Sequence, residues 1–382
     1  MTRRSKTGLK AWTLYPEARQ IAALAGSIQI APGSIPFKDY SVLAAPRDRT
    51  MIKAAVIGLG WWGQTILRQL SNSTVIRPVL GVDPLDSARA ASAELGVETS
   101  PDFDDALAHP DVQAVILCTP QELHADQITA AARSGRHVFC EKPLCTAAAD
   151  AERAIAAVRK AGVQLGIGHE RRFEPAVIEM RRRFAAGEFG KALLLEGNFS
   201  QDKFLKLPGD NWRLSNTRNP VGPLSATGIH MVDLSIALLG RPTSVWARLA
   251  RLGSDFANGD TLSITIGFAS GATALLGAVL ATPFMGRLAL LGSKGWMEIR
   301  DRSHPENSTG WDVTTVHRDQ TPMTTFYAPH PAVRDNLEAF GRAALGQAPY
   351  PVALDEMLAN VRSFEAIHRS VKSGIIEAIE GG

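Results

Sequence analysis

Cysteine is scarce in this chain, neither sign of charge prevails, and no apolar stretch runs long. The three cysteines, Cys118, Cys140 and Cys145, fit no metal-ligand spacing, and their odd number speaks against a disulfide framework. No metal is expected, and a reducing cytoplasm is the expected compartment. Lys plus Arg total 41 against 38 for Asp plus Glu, a net charge of +3. Nucleic acid and anionic membrane surfaces are therefore not expected partners. Nothing approaches the ~18–20 uninterrupted apolar residues that span a bilayer. Internal repeats and low-complexity tracts are missing too, which excludes repeat architectures. Arg3-Arg4 invites a twin-arginine export reading, but Glu17, Arg19 and Gln20 interrupt the apolar run that a signal needs. Residues 1–50 read instead as a flexible or poorly packed extension without period, outside a compact fold that begins at Met51.

What is present is a chain of 382 residues, long enough for two cores, with a change of pattern along it. From residue 52 to 167, short apolar runs alternate with helical patterns. Ala54-Ala55-Val56-Ile57, 75–82, Ala114-Val115-Ile116-Leu117, His137-Val138-Phe139-Cys140 and 163–167 read as strands. Segments 62–70, 88–95, 121–133 and 146–161 read as helices. Strands without polar alternation, separated by helices, predict a parallel sheet covered on both faces, a doubly wound Rossmann domain over 51–170. Beyond it, Leu262, Ile264, Ile266 and Phe268 alternate with small polar residues before the Ser270-Gly271 turn, the mark of an antiparallel hairpin. Further strands are expected at 191–199, 243–251, 285–292 and 296–300, and helices at 332–345 and 354–372. An α+β domain with a mostly antiparallel open-faced sheet is therefore expected over 171–382, its last helices able to pack back on the first domain.

Gly58-Leu59-Gly60-Trp61-Trp62-Gly63 follows the first strand and opens a helix. Its first glycine permits the tight turn, its second lets backbone approach a pyrophosphate, and its third lets helix and strand pack closely. The helix N-terminus adds free N–H groups and a positive dipole end. Asp83 ends the second apolar run about 20 residues later, where a carboxylate accepts from adenosine ribose hydroxyls and repels a 2′-phosphate. NAD is thus expected before NADP. The plainer reading of Asp83 is a turn initiator before Pro84. Trp62 is expected beside the cofactor.

Two more loops follow strand ends: Cys118-Thr119-Pro120 with His124, and Glu141-Lys142-Pro143-Leu144. With the glycine turn, with Arg171-Arg172-Phe173-Glu174-Pro175, with Gly228-Ile229-His230-Met231-Val232-Asp233 and with the segments around Asn336 and Tyr350, the chain resembles the Gfo/Idh/MocA family of NAD(P)-dependent sugar and polyol oxidoreductases. The resemblance runs from Met51 to the C-terminus. It implies Lys142 as the catalytic acid/base and His230 as its partner. It implies Glu141, Pro143, Thr119, Pro120 and His124 along the cofactor, and Arg171 or Arg172 at the substrate. Homo-oligomers, dimers or tetramers, are implied as well.

The chemistry is coherent by itself. Lysine has a reference pKa of ~10.4, and burial beside a cationic nicotinamide lowers it toward that of a usable base. The plain alternative is a solvated lysine after a strand. His230 and Asp233 share a helix face, where the aspartate orients the imidazole or caps a neighbour.

One position departs from the family, which often carries an aspartate four residues before this histidine. Here Ala226 stands there. Either Lys142 and His230 act without a third member, or Thr227, Glu170 or Asp233 substitutes. Trp212 and Arg213 read either as a stacking platform and carboxylate or hydroxyl clamp for the substrate, or as a packing anchor and a surface pairing residue. The leading expectation is an NAD-dependent dehydrogenase of a small-molecule sugar, polyol or related cyclic alcohol. An NAD-dependent glycosidase using transient oxidation is one alternative. An NAD-binding sensor without chemistry, favoured by Ala226, is the other.

Overall fold

The first strand, β1 (Ile52–Ile57), sends its side chains alternately into two apolar layers. Ala55 and Ile57 enter one layer, while Ile52, Ala54 and Val56 enter the other. A strand with two buried faces belongs in the middle of a covered parallel sheet. The computed structural model describes residues 51–381, so the expectations for 1–50 lie outside the described residues. After β1 come α1 (Trp61–Leu70), β2 (Ile76–Val82), α2 (Asp86–Ala93), β3 (Glu98–Ser100), α3 (Phe103–Ala108), β4 (Ala114–Leu117), α4 (His124–Arg133), β5 (His137–Cys140), α5 (Ala148–Ala161) and β6 (Leu165–Ile167). The six strands lie parallel in the order β3-β2-β1-β4-β5-β6. The order reverses between β1 and β4, which opens the crevice where such sheets bind ligands.

The remaining elements are α6 (Pro175–Ala185), β7 (Ala192–Ser200), α7 (Ile229–Leu239), β8 (Pro242–Ala250), β9 (Thr261–Phe268), β10 (Thr273–Val279), β11 (Met285–Gly292), β12 (Gly295–Asp301), β13 (Trp311–His317), β14 (Met323–Tyr327), α8 (Ala332–Ala344), α9 (Leu354–Ser373) and β15 (Glu377–Ala378). They build a nine-stranded sheet in the order β14-β13-β12-β11-β7-β10-β9-β8-β15. Only its β7–β10 pair is parallel. The expected hairpin is β9–β10, with Ile264 opposite Leu276. One face packs on α6, α7 and α9 through Met180, Ile229, Met231, Phe364 and Ile367.

The C-terminal helices join the two cores. Leu337 and Phe340 of α8 pack with α1 and β1. On α9, Met357 and Val361 enter the layer over α4 and α5, whereas Phe364 and Ile367 enter the core of the second sheet. The edge strand β6 has its last backbone groups claimed: Ile167 N donates to Tyr350 Oη at 3.2 Å, and Asn336 Nδ2 donates to Ile167 O at 2.9 Å. This pairing of an exposed edge fixes the chain just before the His169–Arg172 segment.

A Cβ on Gly63 would stand 1.9 Å from Gly58 O, so helix and strand approach too closely for any side chain. Gly63→Ala is expected to cost about 3 kcal/mol, read as a lowered midpoint in urea unfolding followed by circular dichroism.

Candidate active site

The glycine turn is built as a cradle with one open side. Gly58 has φ of +87°, and a Cβ there would meet the Cys118 carbonyl at 2.8 Å, so this turn and the loop after β4 touch. Gly60, by contrast, has nothing within 4 Å of its would-be Cβ, and no side chain caps α1. The N-terminal N–H groups of α1 therefore face free space beside a glycine, the arrangement a pyrophosphate requires. Asp83 ties the cradle to its neighbour strand and also starts the turn before Pro84. Its Oδ2 accepts from Leu59 N at 2.8 Å, tying the cradle to β2, and its Oδ1 accepts from Leu85 N at 2.9 Å, as a turn initiator does. Each oxygen keeps a lone pair for a ribose hydroxyl.

The β5 loop carries Lys142 to the domain junction. Its Nζ donates to Ser225 O at 3.3 Å and to Ala226 O at 3.1 Å. Both carbonyls belong to a π-helical turn, Leu224–Gly228, that leads straight into α7. Such a widened turn is frequent at functional sites. Burial pulls the Lys142 ammonium below its ordinary pKa, against the opposing pull of Glu170 and Glu141. Glu141 is itself buried, and its carboxyl is pushed up by desolvation, restrained by the neighbouring Trp62 indole and Lys142. Gly168 makes room for it, since a Cβ there would strike the Glu141 carboxylate at 2.4 Å. Trp62 Nε1 is buried without a hydrogen bond of standard geometry. His230 lies on the other side. Burial, and then the charge of Lys142, hold its imidazole well below the usual pKa, so it is neutral at pH 7.

Several expected ligand contacts are instead supports. Arg171 donates to Glu174 at 3.0 Å and to both oxygens of Asp301 at 2.8 Å; Arg172 donates to Asp233 twice at 2.7 Å and to Glu356 at 2.7 Å. Both guanidinium groups are buried and paired with carboxylates, which makes them supports of the junction, although Arg171 Nη1 has no hydrogen-bond partner among the described residues. Charges removed from water need such partners. Thr227 is buried and its hydroxyl turns back to Pro223 O. His124 is buried with its ring held between Pro143 O at 2.8 Å and Thr119 O at 3.0 Å. It pins the two loops together and offers no edge to a ligand. Thr119 Oγ1 is bonded to Gln127 at 2.6 Å, and Pro120 opens the turn before α4.

Trp212 and Arg213 stand in a short turn on the other rim. The guanidinium lies 4.6 Å over the Trp212 ring, and no carboxylate pairs with it among the described residues. It is close enough to Lys142 to lower that lysine's pKa. Sequence reading overlooked His304 as a loop residue. Its Nε2 meets Gln201 at 2.8 Å, its Nδ1 meets Lys203 at 3.1 Å, and its ring packs on Phe199 and Phe284. Phe199 also packs on His230, so these residues stand in one cluster with it. Only pairing of β7 with β11 and the β12–β13 loop brings them there, which no local signal announces.

Residues 52–169 match the model of an oxidoreductase family with an NAD-binding Rossmann fold, and residues 177–298 match the GFO/IDH/MocA C-terminal domain. The chain belongs to the Gfo/Idh/MocA oxidoreductase family. It is 32% identical over 269 residues to the scyllo-inositol 2-dehydrogenase (NAD(+)) of Bacillus subtilis, covering 66% of this chain and 75% of that protein. It is 29% identical to the D-xylose 1-dehydrogenase (NADP(+)) 2 of Haloferax volcanii, covering 76% and 88%. Among solved structures, the aldose-aldose oxidoreductase of Caulobacter crescentus superposes with a TM-score of 0.76 at 27% identity, covering 86% of this chain and 99% of that one.

As a Gfo/Idh/MocA oxidoreductase, the chain carries an NAD-binding Rossmann domain, and the open Gly60 side with the Asp83 lone pairs fits that dinucleotide. The departure at Ala226 is answered by backbone: its carbonyl, not a side chain, meets Lys142. Of the three substitutes expected for the family aspartate, Thr227 and Asp233 are already bonded elsewhere, and Glu170 is not.

Arg172→Met would strip both guanidinium hydrogen bonds from Asp233, whose side chain is 2% exposed, and leave only the His169 ring 3.7 Å away beside it among the described residues. A loss of about 3–5 kcal/mol is expected, measured as the shift in urea midpoint at constant slope.

Proposed function

We propose that this chain is an NAD-dependent dehydrogenase of a secondary alcohol on a sugar, polyol or related cyclic compound, with Lys142 as acid/base. The observation that carries this reading is Lys142 itself: a lysine drawn toward its neutral form by burial, fixed by two carbonyls, and placed between His230 and the loops that flank the glycine turn. Inositol and sugar dehydrogenases among its relatives support the substrate class.

Gly58, Gly60, Gly63 and Asp83 would hold the adenosine and pyrophosphate, and Thr119, Pro120, Glu141 and Pro143 would line the remainder. When bound, the nicotinamide supplies the hydride acceptor. Neutral Lys142 takes the hydroxyl proton, and its ammonium, once formed, stays bonded to Ser225 O and Ala226 O. Neutral His230 donates or accepts at the same oxygen without adding charge. Trp212 offers a ring face to an apolar side of the substrate. Arg213, lacking a carboxylate of its own, supports a substrate that presents a carboxylate or a run of hydroxyls to it. The Asp83 carboxylate favours NAD over NADP by repelling a 2′-phosphate. The helix-free face of the nine-stranded sheet exposes Leu193, Leu275 and Met285, which supports pairing of two copies there.

Initial rates with NAD and NADP across cyclic polyols, aldoses and their carboxylated counterparts test this. Lys142→Met is expected to lower kcat about 10³-fold while NADH still binds. A Cβ at Gly60 meets no protein atom within 4 Å, so Gly60→Asp should keep the melting temperature, yet weaken NADH about a hundredfold through repulsion of the phosphates. NADH binding without any Lys142-dependent turnover would favour a sensor instead.

A further inference from the structure

The junction around Lys142 and His230 is rich in carboxylates, and almost all of them are taken. Asp233 and Glu356 are bonded to Arg172, and Glu174 and Asp301 to Arg171. Glu170 is the exception. It opens the 3₁₀ turn Glu170–Phe173 that also carries both arginines. Its side chain is 15% exposed, and among the described residues no other residue donates a hydrogen bond to it. Its Oε1 lies 3.9 Å from His230 Nδ1, and that ring nitrogen is buried with no hydrogen-bond partner. An orphaned imidazole nitrogen beside an uncommitted carboxyl is costly unless something uses the gap. A water or a small rotation of either side chain closes it.

We propose that Glu170 is the proton-relay residue of this site, receiving the proton that Lys142 takes from the substrate hydroxyl and releasing it to solvent, with His230 Nδ1 orienting the carboxyl. The inference rests on the reading of Lys142 given above. A bound nicotinamide would supply the acceptor for the carbinol hydrogen and its electron pair. The O–H bond breaks with its proton to Lys142 Nζ, and C=O forms. The proton then passes from Lys142, across a bridging water, to a carboxylate oxygen of Glu170 and on to solvent, through the part of the side chain that remains exposed.

The groups facing Glu170 are Glu141 and Lys142 from the β5 loop, Arg171 beside it, Glu174 at the start of α6, and His230 on α7. Burial, and next the Glu141 charge, push its carboxyl up to about 7. It is therefore protonated below about pH 7 and ionised above it. Only the ionised form accepts a proton, so alcohol oxidation is expected to rise as pH climbs through about 7, and carbonyl reduction to fall over the same window.

Glu170→Gln keeps the shape and removes the proton site. Oxidation kcat is expected to fall about a hundredfold, with the inflection near neutrality lost and with KM and NADH affinity unchanged. A second readout needs no turnover. A carboxyl with a raised folded-state pKa loses stability for the fold as pH rises from its unfolded value of ~4.3. The Gln variant should therefore melt above wild type at pH 8 and together with it near pH 4. Wild-type turnover with an unaltered rate and pH profile in Glu170→Gln overturns the relay alone. A wild-type protein that turns over no alcohol overturns the Lys142 reading and the relay with it, and equal melting at pH 8 overturns the buried, uncommitted carboxyl.

Discussion

The paired burial of Arg171 and Arg172 is the constraint on which the junction depends. Two adjacent guanidinium groups cannot deprotonate and cannot be left bare inside a protein, so four carboxylates from four other places must come to them. Glu174 comes from the cap of α6, Asp301 from the end of β12, Asp233 from α7 and Glu356 from the first turn of α9. The turn that carries the arginines is thereby held to α6, the second sheet, α7 and the C-terminal helix at once. Everything else in the site inherits that position. The edge of β6, sealed by Asn336 and Tyr350, delivers the chain to this turn at a fixed angle, and α7 must lie where Asp233 can reach, which sets His230 opposite Lys142.

The same arginines show what could be read from the sequence and what could not. The glycine turn and the loops that carry Asp83 and Lys142 were legible as structure because each is a strand end followed by a turn, whereas the role of Lys142 came only from the resemblance. The parallel strands were legible from unbroken apolar runs, and β9–β10 from strict alternation. By contrast, β3 is three residues long, without an apolar run, and exists because β2 offers it an edge. β14 is exposed along nearly its whole length and is held by pairing with β13. Arg171 and Arg172 look like substrate clamps in sequence because their partners Asp301, Asp233 and Glu356 lie far along the chain. His124 misled in the same manner, since the two carbonyls that hold it come from different loops.

Replacing a carboxylate by backbone at Ala226 changes the electrostatics of the lysine in a definite direction. A carboxylate bonded to Lys142 would add a full negative charge and raise its pKa, working against the neutral amine a base must be. The carbonyls of Ser225 and Ala226 satisfy the ammonium through dipoles whose charge never changes. Burial is then the largest influence on Lys142, and its pKa falls. Negative charge is still needed when the ammonium forms, and Glu170 stands near enough to act on it. Because Glu170 shares that region with Glu141, its own ionisation is set near neutrality by burial and repulsion, not near 4. The lysine and the glutamate are each shifted toward the other from their ordinary ranges, which lowers the cost of exchanging a proton between them. A family aspartate hydrogen-bonded to the lysine would lock the ammonium in place; a carboxyl with no donor from another of the described residues leaves the proton free to move.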